Sequence, residues 1–129
     1  MANLPGSFEP APSTFPGPYS FSGQLPLGEW NMLANGRIYT LTISDVRGSR
    51  VEADMSSGRI QDAEWKDTAS ASSLATLTFT RVIDATGLKQ RYHAYLLHYD
   101  RNDPLWRLVG TYGNVTVGEQ AGWYATLPR

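Results

Sequence analysis

Cysteine is absent from all 129 residues, which excludes disulfides, thiolate metal centres and cysteine nucleophiles together and leaves stability to packing. An excess of charge of either sign is also missing: 11 basic and 12 acidic side chains give a formal net charge of -1. So small a charge sets up no positive field to hold a phosphate backbone or an anionic membrane, and neither nucleic acid nor a membrane is expected as a partner. No stretch approaches the ~20 apolar residues needed to cross a bilayer, and the first six residues lack the basic head and apolar run of a secretory signal. The expectation is a soluble, cytoplasmic protein. Helical periodicity is missing as well, with no run of roughly ten residues carrying an apolar stripe.

What is present divides the chain in two. Residues 1–27 form a Pro/Gly-rich segment in which Pro5, Pro10, Pro12, Pro16, Pro18 and Pro26 break any helix or central strand. It reads as an extended N-terminal arm, and Phe8, Phe15, Tyr19 and Phe21 give it more aromatic surface than a linker carries, so it is expected to dock on one end of the fold or on a neighbouring subunit. Residues 28–129 change rhythm, to short segments rich in Thr, Val, Ile, Tyr and Trp with turn residues between them. This length suits one continuous core, and therefore one domain.

Strands are expected at residues 28–34, 37–44, 50–55, 59–65, 74–83, 90–99, 105–112 and 122–127. Asn35-Gly36 is the strongest hairpin signal, because both central residues of a type I′ turn need φ > 0. In the second strand Tyr39, Leu41 and Ile43 alternate with Thr40, Thr42 and Ser44, which places the apolar set on one face. Residues 90–99 carry large side chains in both rows, Tyr92, Ala94 and Leu96 against Tyr95, Leu97 and Tyr99, so both faces look covered. Eight strands joined by hairpin-length turns predict an all-β fold, an eight-stranded antiparallel up-and-down β-barrel with a proline-rich extended arm. Closure removes the edges that invite aggregation, and an open sandwich, the alternative, would want longer crossing connections.

Gly28-Glu29-Trp30, at the head of the first strand, resembles the Gly-x-Trp signature of the calycin superfamily of lipocalins, fatty-acid-binding proteins and avidins. The resemblance covers residues 28–129 as a pattern of strands, and the aromatic last strand, Trp123-Tyr124-Ala125-Thr126, is more similar to the avidins. It implies that Trp30 plugs one end of the barrel against a basic side chain from a late strand, Arg107 or Arg129. The polar set of an avidin's biotin pocket has no counterpart that can be placed on this chain, and biotin is not expected. Barrels of this shape host binders, inhibitors and enzymes alike.

The residues that bear chemistry are few. His93 and His98 are the only histidines, and five residues apart on one strand they fall on opposite faces, which argues against a shared metal. Asp62 and Glu64 fall on one face of a strand with the period of two, where solvated carboxylates are commoner than an acid–base pair. Arg81 continues the inward row of Leu77 and Phe79: a charge there needs a partner, an anionic ligand, or a route to water at the strand end. Phosphate loops, nucleophile elbows and zinc motifs are absent, the glycines of residues 110–114 having no helix after them.

These readings give a small-ligand-binding barrel that holds an apolar or aromatic molecule in its interior, with no metal or cofactor. Trp30, Tyr39, Phe79, Arg81, Tyr92 and Trp123 are the candidate ligand-binding residues, with Trp65 as a further aromatic, and no catalytic residue is assigned. A cofactor-free barrel enzyme, a cyclase or isomerase, needs no recognisable motif and is the first alternative. A homo-oligomeric interaction protein is the second, with Trp106 and Tyr95, if outward, forming a patch for a partner subunit.

Overall fold

A computed structural model describes residues 25–67, 75–97, 102–116 and 120–129. The expectations for residues 1–24 of the arm, for the loop at 68–73, for Leu74, and for His98 and Tyr99 lie outside the described residues. Within them the chain forms β1 (Gly28–Ala34), β2 (Arg37–Arg47), β3 (Arg50–Met55), β4 (Arg59–Lys66), β5 (Thr76–Ile83), β6 (Leu88–Leu97), β7 (Leu105–Asn114) and β8 (Ala121–Pro128), with no helix among the described residues. Each strand pairs antiparallel with the next, and β8 returns to β1, closing the up-and-down barrel. Asn35 and Gly36 both take positive φ, 52° and 76°, as the β1–β2 hairpin requires.

Alternation along each strand sends one row inward. Trp30, Met32 and Ala34 of β1, Leu41 and Ile43 of β2, Leu77 and Phe79 of β5, Tyr92, Ala94 and Leu96 of β6, and Trp123 and Ala125 of β8 are all buried in a single core. Large and small residues interleave across strands, as a narrow barrel demands. Trp123 is flanked in register by Ala34 on one side and by Gly110 and then Ala94 on the other, so its indole has room to lie across them. Its Nε1–H donates to the carbonyls of His93 at 3.2 Å and Thr111 at 3.1 Å.

Two irregularities correct the strand-level reading. An extra residue in β4, between Gln61 and Glu64, puts Asp62 at φ 55° and shifts the register. The bulge changes the phase of the alternation: Ile60 pairs with inward Arg81, whereas Glu64 pairs with Thr78 and is exposed. Asp62 and Glu64 therefore do not follow one uninterrupted face, and both are exposed. The second irregularity, between Ile43 and Asp45, lets β2 run on to Arg47, beyond the expected end at Ser44. Beside these bulges β3 and β4 share one ladder pair, Arg50↔Glu64, and the barrel is least tightly sewn there.

β6 also differs from expectation. Tyr92, Ala94 and Leu96 are buried, but Tyr95 is exposed and Leu97 only half-buried, so its outer face is not covered by the described residues. Trp106 is not outward: it is half-buried against the core, with the Arg129 guanidinium 4.9 Å from its ring centre.

Candidate functional site

The up-and-down topology gathers the β1–β2, β3–β4, β5–β6 and β7–β8 connections at one end of the barrel. That end, the mouth, is where the inward rows become polar. A cleft of about 240 Å³ opens there, lined by Arg37, Tyr39, Arg81, Gln90, Tyr92 and Tyr112 among others. A second space of about 400 Å³ shares Gln90 and Tyr112 and extends toward Asn114 and Ala121.

The floor of the mouth is set by strand register. Phe79, Tyr92 and Tyr112 are direct cross-strand partners on β5, β6 and β7. Neighbouring strands lie about 4.8 Å apart, and the three rings stack at nearly that spacing: 4.8 Å between Phe79 and Tyr92, 4.7 Å between Tyr92 and Tyr112, with planes within 9° and 6° of parallel. Trp123 meets the stack edge-on, 5.9 Å from Phe79 and 5.6 Å from Tyr92. The stacked ladder and the perpendicular indole match the two arrangements that aromatic quadrupoles favour.

One register step nearer the opening, Arg81 faces Gln90. Arg81 is only 6% exposed and does not reach water as a strand-end arginine can. Its Nε donates to the Ser57 carbonyl and its Nη2 to the Ser57 hydroxyl, both at 3.0 Å, while Nη1 donates to Gln90 Oε1 at 2.8 Å. The β3–β4 turn is thus tied across the mouth to β5 and β6. The guanidinium also sits 5.1 Å from the centre of the Tyr39 ring, a cation–π contact. Tyr92 donates its hydroxyl to the same Gln90 Oε1, at 3.2 Å, which leaves the Gln90 amide nitrogen as a donor for other groups.

Burial pushes the Tyr92 hydroxyl up to about 12, with the nearby Arg81 charge opposing the shift. Tyr112 is raised too, chiefly by burial and by Tyr39, against the charges of Arg81 and Arg37. Both phenols remain protonated hydrogen-bond donors at neutral pH. Because Tyr92 ionises near 10 when unfolded and near 12 when folded, its contribution to stability is complete below pH 10 and is lost as the pH rises through 12. Urea midpoints measured across that interval are expected to fall, and to fall less steeply in Tyr92→Phe.

Of the six candidate residues, the structure brings Tyr39, Arg81 and Tyr92 together at the mouth, with Phe79 and Trp123 directly beneath. Trp30 lies apart, toward the opposite end, buried and donating its Nε1–H to the Pro26 carbonyl at 3.2 Å. Leu25 is fully buried just before it in the chain. Of the two late-strand arginines expected near Trp30, Arg129 lies over Trp106, and Arg107 forms an ion pair with Asp103. Trp65 is buried opposite Leu77, and its indole N–H has no hydrogen-bond partner among the described residues. Arg37, Gln90 and Tyr112 complete the mouth and were not singled out by the sequence, although Gln90 and Tyr112 continue the inward rows of Tyr92 and Leu108.

The outer wall presents a different surface. Ile38, Leu33, Tyr124, Val109 and Tyr95 are successive register partners on β2, β1, β8, β7 and β6, an apolar band five strands wide. All but half-buried Leu33 are exposed. The chain matches no protein-family model, and comparison with curated proteins and with solved structures gives no match. The eight-stranded closed barrel is compatible with a calycin-like fold.

Proposed function

We propose that this chain is a small-ligand-binding barrel that takes an apolar or aromatic molecule into its mouth. The observation that supports this reading is the 240 Å³ cleft, in which a stacked aromatic floor meets a few convergent polar groups. A small number of placed donors fixes a ligand's orientation in such sites; here the accessible lining is mostly polar, and the volume lies just below the ~300–1,000 Å³ of pockets for drug-sized ligands. A compact ligand is the match. The burial of Arg81 in the cleft wall also favours a second reading, a cofactor-free enzyme in which the guanidinium stabilises charge developing on a bound substrate.

The outer band supports a homo-oligomer as well, because an exposed apolar surface of this width is unusual on a monomer and a net charge of -1 offers little repulsion between copies. Native mass spectrometry of the purified protein tests ligand and assembly together. The expected spectrum shows a dimer or larger species and a small adduct, released on denaturation. An unliganded species in repeated preparations would count against the ligand reading, and a strict monomer at high concentration would remove the homo-oligomer.

A further inference from the structure

We infer that the mouth is built for a small aromatic acid, whose carboxylate meets Arg81 and Arg37 while its ring joins the aromatic stack. The inference rests on the reading of the mouth as a ligand site, and it assigns the ligand's charge. Three observations carry it.

Arg81 is a buried cation whose hydrogen-bond partners are all neutral: the Ser57 carbonyl, the Ser57 hydroxyl and the Gln90 amide oxygen. Among the described residues it forms no ion pair. Neutral acceptors satisfy its donors without cancelling its charge, and a buried charge left uncompensated is costly. An anion entering the cleft supplies what the protein does not.

The lining of the cleft is one-signed. Arg37 stands beside Arg81 in its wall, and among the described residues no carboxylate lines it and Arg37 has no ion-pair partner. Both guanidinium charges act on the Tyr112 hydroxyl, which places positive potential across the opening. Of the other described arginines, Arg59, Arg47 and Arg107 are paired with Asp84, Asp45 and Asp103, while those without an ion pair, such as Arg50 and Arg91, are exposed, as Arg81 is not.

The stack ends where a ligand ring can continue it. Phe79, Tyr92 and Tyr112 occupy three consecutive strands, and the next residue in register, on β8, is Ala121. That methyl leaves the fourth place in the row without a ring, and Tyr112 and Ala121 both line the adjoining 400 Å³ space. A single-ring acid laid on Tyr112 would extend the existing stack in that space and direct its carboxylate into the adjoining cleft that the two arginines line.

The test is an NMR titration of the ¹⁵N-labelled protein with benzoate, benzamide and acetate, read at the amides of Gly113 and Ala121 and at the arginine Nε–H signals. Benzoate is expected to bind at least about tenfold more tightly than benzamide, the worth of one charge-assisted hydrogen bond, and at least about tenfold more tightly than acetate, which keeps the charge but has no ring to stack. The same loss is expected for benzoate with Arg37→Gln, whose thermal midpoint should match the parent because Arg37 is exposed and forms no ion pair among the described residues; Arg81→Gln, if folded, should lose more. Equal binding of benzoate and benzamide would overturn the charge assignment while leaving a ligand site in place. Acetate binding as tightly as benzoate would overturn the ring assignment, and no shift with any of the three would overturn both this inference and the reading beneath it.

Discussion

Replacing Gly110 with alanine is expected to lower stability by about 3 kcal/mol or more, and the thermal midpoint by about 10 °C, although the change adds a single methyl group. A Cβ at this position would overlap the His93 carbonyl oxygen and lie 2.6 Å from the Ala94 Cα. Both are backbone atoms of β6, so no side chain can swing aside; the two strands themselves must separate. The cost spreads, because the His93 carbonyl also accepts the Trp123 Nε1–H, and Trp123 sits edge-on to Phe79 and Tyr92. Gly122→Ala is the control. Among the described residues its Cβ would meet only the Gly110 carbonyl oxygen, at 3.9 Å, an ordinary contact, so its thermal midpoint should stay near the parent's or rise slightly as the unfolded chain loses freedom. Thermal melts of the two variants therefore separate close backbone approach from the general effect of replacing glycine in a strand. A Gly110→Ala midpoint matching that of Gly122→Ala would show that the β6–β7 contact yields at little cost.

The barrel was legible where the local code is strong. Asn35-Gly36 can hardly be read as anything but a tight hairpin, and the alternation of Tyr39, Leu41 and Ile43 carries its own phase. The bulge at Asp62 was not legible. One inserted residue leaves no compositional mark, yet it reverses which neighbours face inward, so a strict period of two placed Asp62 and Glu64 with Ile60. For the mouth, the inward aim of Arg81 followed from its row with Leu77 and Phe79, because that inference needs only one strand. Gln90 and Tyr112 belong to the site through register across three strands, and register is a property of pairing that no single segment displays. Arg37 escaped notice for a similar reason: it opens β2, and only closure of the barrel turns a strand start into part of a rim. Trp106 was left undecided for want of the same information, its inward position depending on how β7 meets β8 at Leu127.

The central ring of the stack is the place where fold and site depend on one another most directly. Tyr92→Ala is expected to cost about 3–5 kcal/mol, as removal of a large buried aromatic does, whereas Tyr92→Phe should cost only about 1 kcal/mol, the net worth of one hydrogen bond. The disparity follows from geometry. Truncation removes the ring that separates Phe79 from Tyr112, so two stacked contacts and one edge contact with Trp123 disappear together and a cavity opens beneath the mouth. Loss of the hydroxyl alone leaves every ring in place, and Gln90 Oε1 still accepts from Arg81 at 2.8 Å. Urea denaturation gives the two costs, and near-ultraviolet circular dichroism reports whether the remaining aromatics stay fixed. If Tyr92→Phe proves as damaging as Tyr92→Ala, the hydroxyl bridge to Gln90, rather than the stack, holds the mouth in shape, and the spacing shared by rings and strands is only a by-product of the sheet.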